Sequence, residues 1–100
     1  MNNKQVLNLL GLAQRARKTT TGEEFVLQRI RKRQAKIVFL ASDAGTATQK
    51  KISDKCRSFG VPLSMVFTRA ELSVAIGQVR SVIAVTDAGF GCKLKSLLFT

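Results

Sequence analysis

The amino-acid sequence predicts an α/β fold, a three-layer α/β/α sandwich. Three observations carry that expectation. Helical and strand patterns alternate along the chain. Two runs, 35–41 (AKIVFLA) and 81–86 (SVIAVT), are short and mostly apolar, as in strands buried on both faces. The segments between them hold apolar residues at helical spacing and are bounded by cap signals. Long crossovers between the strands predict parallel pairing with helices on both faces. A chain of 100 residues is the size of one domain, so residues 1–100 are expected to form a single unit around one core.

Taken in order, residues 4–17 place Val6, Leu9, Leu10 and Ala13 at helical spacing behind Asn3 as N-cap. Lys18-Thr19-Thr20-Thr21 is short and β-branched, which suits a brief strand. Thr21-Gly22-Glu23-Glu24 reads as a capping box, with the Thr21 hydroxyl accepting from the Glu24 amide. Its helix runs to about Arg33. After the 35–41 strand, a helix over 46–59 turns Ile52, Cys56 and Phe59 inward and Lys50, Lys51, Asp54, Lys55 and Arg57 outward. Gly60 suits its C-terminal cap, and Pro62 blocks continuation. Val61–Phe67 is the next strand. Thr68-Arg69-Ala70-Glu71 is a second capping box, for a helix with Leu72, Ala75 and Ile76 that stops at Gly77. The 81–86 strand follows, and Asp87 caps a last helix containing Leu94, Leu97 and Leu98.

Charge points to the partner. Seventeen Lys and Arg oppose six Asp and Glu, a net charge of +11. Residues 1–36 carry +7 of it and residues 37–100 carry +4. Like charges in one compact body repel. A polyanion is the simplest compensation, and nucleic acid is the expected one. No basic helix carries a Trp/Phe/Leu insertion face, which argues against a membrane surface. No run reaches the ~18–20 apolar residues of a membrane span, and the N-terminus lacks the plan of a secretion signal. The expected compartment is the cytoplasm.

Catalysis is hard to build. The chain has no His, Tyr or Trp, so acid–base chemistry would fall on scattered carboxylates. Glu23 and Glu24 stand where a helix N-terminus favours acidic residues. Asp43 and Asp87 each follow a buried strand, and capping is the simpler role for both. Gly89-Phe90-Gly91 lacks the rest of any nucleotide fingerprint. Cys56 and Cys92 lie in apolar-periodic settings and are expected to be free, buried thiols. Neither metal nor cofactor is expected.

The helix opened by Gly22 is more informative. Glu23, Val26, Leu27 and Ile30 share one face, the core face. Phe25, Gln28, Arg29 and Lys32 fall on the other. An exposed Phe among basic and amide groups fits a nucleic-acid contact: Arg29 and Lys32 for phosphate, Gln28 for base edges, Phe25 for stacking. Equally, Phe25 could pack under the C-terminal tail near Phe99. Arg15, Arg17 and Lys18 lead into the same helix start, whose free amides favour an anion. A basic approach, a glycine turn and an open helix N-terminus are thus expected to converge, and these cations should matter more than Lys50, Lys51 and Lys55.

Gly22 at that helix start, then Ala35-Lys36-Ile37-Val38-Phe39-Leu40-Ala41-Ser42-Asp43-Ala44, Gly60-Val61-Pro62, Glu71-Leu72 and Gly77, resembles in order and spacing the ribosomal-protein superfamily that binds kink-turn RNA, the archaeal L7Ae type. Leu9-Leu10-Gly11-Leu12-Ala13-Gln14-Arg15-Ala16-Arg17-Lys18 and Val85-Thr86-Asp87-Ala88-Gly89-Phe90 resemble its bacterial YlxQ branch. The resemblance covers nearly the whole chain. It implies a mixed, mostly four-stranded sheet, no enzyme activity, and RNA, ribosomal RNA foremost, as partner. It places the protein near the ribosome or transcription and translation factors. It implies recognition by the start of the second helix and the loop before the last strand, here 18–32 and 77–81. The residues so indicated are Arg15, Arg17, Lys18, Thr20, Gly22, Glu24, Phe25, Gln28, Arg29, Lys32, Gly77 and Arg80. One departure stands out. Where kink-turn binders carry Gly-x-Asn-Glu-x-x-Lys, this chain keeps only Gly22 and has Glu24, Phe25 and Gln28 at the other motif positions. A protein-interaction module docking on an acidic face of a translation or transcription factor is the alternative. The RNA-binding part of an RNA-modifying enzyme, with its catalytic domain on a second chain, is another.

Overall fold

The computed structural model describes residues 3–99. Its elements are α1 (Asn3–Arg15), β1 (Thr19–Thr21), α2 (Glu23–Arg31), β2 (Ile37–Leu40), α3 (Thr46–Phe59), β3 (Leu63–Ser64), α4 (Arg69–Ile76), β4 (Val82–Val85) and α5 (Ala88–Leu98). The four strands form one mixed sheet in the order β1-β4-β2-β3. Every residue of β2 and β4 is buried. Their two faces meet different layers, because side chains alternate along a strand. Ile37 and Phe39 join Val6, Leu10, Leu72 and Leu94 from α1, α4 and α5. Val38 and Leu40 join Val26, Ile30, Ile52 and Cys56 from α2 and α3. This is the three-layer sandwich expected from the alternation of patterns.

The mixed four-stranded sheet is the one the family resemblance implies, while the parallel pairing expected from the crossovers holds for one pair alone. Only β2 and β3 are parallel; β4 runs antiparallel to both β1 and β2. The reason lies around α4. Ser42 N–H donates to Phe67 C=O, and Ala41 N–H donates to Ser81 C=O, so the chain leaves for α4 and returns from it at the same end of β2. A helix of eight residues, about 12 Å long, makes an excursion there and no crossover. The strand that follows must run back the other way. The expected strand over 61–67 shrinks to Leu63–Ser64 for the same reason, since the chain beyond it turns across the sheet end.

Cap chemistry is mostly as read. The Thr68–Glu71 capping box is complete, and Asp87 accepts from Phe90 N–H at 2.9 Å. Gly60 and Gly77 close α3 and α4 in left-handed conformation. Asn3 is the first residue of α1 instead of its cap. Asp43 caps, though not α3: its carboxylate accepts from Arg69 N–H at 2.8 Å, at the start of α4. The box at Thr21 does not form. Gly22 takes the N-cap position with φ 93° and ψ 142°, and no side chain caps α2. That conformation is open essentially to glycine alone, and it turns the Thr21 hydroxyl elsewhere.

The cysteines part ways. Cys56 is buried, but Cys92 is exposed, because Gly91 and Leu94 take the inward positions of α5. Burial pushes the Cys56 thiol up to about 11. An alkylating reagent at pH 8 is therefore expected to label Cys92 and spare Cys56 in the native protein, and to label both in denaturant. The stability that Cys56 contributes is full below its unfolded pKa of about 8.5 and is lost as pH rises from there through about 11. Equal native labelling would show that α3 opens readily.

Candidate functional site

β1, α2 and the loop 77–81 meet at one end of the sheet. Gly22 N–H donates to Val82 C=O, which seats the start of α2 beside that loop. The loop is itself pinned. Arg80 N–H donates to the Ser73 hydroxyl at 3.1 Å, and that hydroxyl reaches back to Arg80 C=O at 3.3 Å. The Arg80 guanidinium then lies across β1: its Nε donates to the Thr21 hydroxyl at 3.2 Å and its Nη1 to Val79 C=O at 2.7 Å. One strand residue earlier, the Thr20 hydroxyl accepts from Arg29 Nε at 3.1 Å, and Arg29 Nη1 donates to the Gln34 side chain at 2.6 Å. The three-residue β1 thus holds two guanidiniums through adjacent threonines on its opposite faces. Thr19 adds a hydrogen bond from its hydroxyl to the Gln14 side-chain oxygen.

Phe25, Gln28, Arg29 and Lys32 are all exposed on one stripe of α2, as the helical spacing predicted. Phe25 is 61% exposed. The tail alternative is not realised, because Phe99 lies beside Pro62 and Leu63, next to the opposite edge strand β3. The two acidic residues of α2 turn toward α3. Glu23 is 3.5 Å from Lys51, and a hydrogen bond from Thr48, ahead of the Lys51 charge, holds its carboxyl below the usual value. Glu24 lines a groove with Leu27, Arg31, Lys51 and Lys55. Neither carboxylate caps α2, whose first amides have no side-chain acceptor.

The expected convergence needs correction on one point. Lys18 C=O accepts from Thr86 N–H at one end of β1, while Gly22 bonds Val82 at the other. Four residues of extended chain place these ends about 13 Å apart. Arg17, with φ 60°, and Lys18 belong to the far end. Arg15 lines a groove between α1 and α4 with Glu71 and Val74. Arg80 reaches the helix start from 59 positions beyond Thr21, and Lys51 meets it through Glu23 from the α3 side. Sequence reading missed Val79, 63% exposed at the loop tip, and Ser73, which anchors the loop. An apolar residue two positions after the helix-ending Gly77 and just before an arginine was the available signal for Val79. Among the described residues, no group of three or more His, Cys, Asp and Glu could hold a metal ion, and no helix is long and apolar enough to cross a membrane.

Residues 4–95 match the model of the ribosomal protein L7Ae/L30e/S12e/Gadd45 family. The chain is 48% identical over 99 residues to the RNA-binding protein YlxQ of Bacillus subtilis (strain 168), covering 98% of this chain and 99% of that one. It is 44% identical over 97 residues to the RNA-binding protein YlxQ of Enterococcus faecium, covering 97% and 94%. Its structure is similar to that of a protein of unknown function from Bacillus halodurans C, with TM-score 0.91, 47% identity and coverage of 96% and 98%. A Giardia lamblia 15.5kD RNA binding protein shares the fold at TM-score 0.80 and 19% identity, over 97% of this chain and 92% of that one.

Proposed function

Since the chain belongs to the ribosomal protein L7Ae/L30e/S12e/Gadd45 family, we propose that it binds structured RNA without catalysing a reaction, using the start of α2 and the loop 77–81. The observation that carries this reading is Arg80, held across Thr21 beside the uncapped N-terminus of α2, the helix whose first turn exposes Phe25. Charge and amide donors there suit phosphate. An aromatic face and the Gln28 amide suit an unpaired base. The chemistry at the former base-reading positions is altered. Glu24 is turned into the α2–α3 groove, and Phe25 replaces a hydrogen-bonding side chain with a stacking one. The RNA so recognised is bulged or looped, and it differs from the standard kink-turn in the bases presented to α2. Ribosomal RNA in the cytoplasm is the natural source.

The test is the salt dependence of binding to ribosomal RNA fragments. Each phosphate neutralised by Lys or Arg contributes a slope of about −0.7 to −0.9 to log K against log salt. A steep negative slope is expected between low and moderate salt. A flat response, or no binding, would overturn the reading and favour a protein partner.

A further inference from the structure

Resting on that RNA-binding reading, we propose a second contact with the RNA phosphate backbone at the opposite end of the sheet, in a hollow ringed by Arg33, Lys36 and Lys95, so that one RNA is held at both ends of the sheet. The hollow encloses about 200 Å³, and Phe59, Gly60 and Pro62 also line it. No carboxylate is among the described residues that line it. Its three cations come from separate elements: the turn after α2, the approach to β2, and α5.

Two of them are held in place. Arg33 sits in left-handed conformation, φ 59°, with its guanidinium 5.2 Å from the centre of the Phe59 ring. Lys36 donates its N–H to Val85 C=O, and its stem lies against α5 where Gly91 has no side chain. A Cβ at position 91 would stand 2.7 Å from Lys36 Cβ. Gly91 thus permits a close approach that sets Lys36 beside Lys95, one helical turn on. Gathering like charges in this way costs stability, and an anion would remove that cost.

The same sheet end carries Arg17 and Lys18. Lys18 and Lys36 flank the end of β4 through its backbone, by Thr86 N–H to Lys18 C=O and by Lys36 N–H to Val85 C=O. The carboxylate that follows, Asp87, is engaged by Phe90 N–H at 2.9 Å. The ion pairs among the described residues are Lys51–Glu23, between α3 and α2, and Arg57–Asp54 within α3. The cations therefore extend across a four-stranded sheet, about 14 Å at ~4.8 Å per strand step. That reach fits a chain of phosphates better than one small anion. An apolar shelf adjoins the hollow through Pro62 and Lys95, with Leu63 and Phe99, the last 55% exposed. It offers an aromatic face for a base next to the bound phosphates.

The experiment compares two charge-matched triple variants, Arg33→Gln/Lys36→Gln/Lys95→Gln and Lys50→Gln/Lys55→Gln/Arg57→Gln. Each is titrated with a hairpin RNA carrying an internal bulge, across a salt series, with thermal unfolding as a check. The first triple is expected to make the log–log slope shallower by about 2, as for two to three lost phosphate contacts, and the second to leave it unchanged. Equal slopes in the two triples, with wild-type binding still steep, would overturn the second contact and leave the α2–loop reading standing. Absence of wild-type binding would sink both. An independent readout needs no variant. Lys36 and Lys95 in the wild-type protein should be protected from an amine-reactive reagent by bound RNA, while Lys50 and Lys55 are not. Undiminished labelling of Lys36 and Lys95 in the complex would also overturn the proposal.

Discussion

Phe39→Ala is expected to destabilise the protein by about 3–5 kcal/mol, the usual range for emptying a fully buried Phe site. A domain of this size has only about 5–15 kcal/mol of stability in total, so much of it would be lost. Phe39 is fully buried in the middle of β2. Its backbone neighbours are Ile83 of β4 and Ser64 of β3. Its ring meets Phe67 at a centroid distance of 6.3 Å and a tilt of 35°, within the favoured range for aromatic pairs. Leu72 and Ile76, on the inner face of α4, belong to the same cluster. A cavity at position 39 therefore lies beneath the helix that carries Ser73 and leads into the loop 77–81. Denaturant unfolding should show the midpoint falling with the slope unchanged. A loss under about 1 kcal/mol would mean that the surrounding layer collapses into the space, and that the core is looser than its burial implies.

Much of this architecture is legible in the sequence, because it is specified by local chemistry. Thr68 and Glu71 make a capping box whatever surrounds them, and Gly60 and Gly77 stop helices by the left-handed conformation only glycine takes without strain. The exposed stripe of α2 follows from the helical period alone. What could not be read depends on partners far away in the chain. The direction of β4 is decided by hydrogen bonds from Ser42 and Ala41 to Phe67 and Ser81, which no crossover length reveals. Thr21 looks like a cap in its own neighbourhood. The positive φ of Gly22 removes it from that role, and Arg80 takes its hydroxyl instead. The basic approach through Arg15, Arg17 and Lys18 is contiguous with Gly22 in sequence, yet a three-residue strand carries the chain from one end of the sheet to the other. Sequence proximity overstated spatial proximity there. It also hid the grouping of Lys18 with Lys36.

Phe25→Ala is expected to weaken binding to a bulged RNA by about 1–3 kcal/mol, roughly 5- to 150-fold, which is the range for removing an aromatic platform from one base. Phe25 is 61% exposed and lies outside both core clusters. Its loss should therefore change folding stability by no more than about 0.5 kcal/mol, as for other surface positions. A nonpolar ring kept in water beside Gln28 and Arg29 gains nothing from the fold itself. It does gain from a base that the RNA has already unstacked. A continuous duplex keeps its bases paired and its readable edges out of reach, so the ring has nothing to stack on there. Binding of the variant to such a duplex should match wild type, because that binding rests on phosphate contacts alone. Phe25→Leu separates the two contributions of the ring. It retains apolar area without the flat face, and should recover less than half of the lost binding free energy if stacking is the cause. Affinities for bulged and continuous RNA, together with the unfolding midpoint of each variant, decide the matter. Equal losses on both RNAs would deny base stacking, and a large drop in stability would make Phe25 a packing residue.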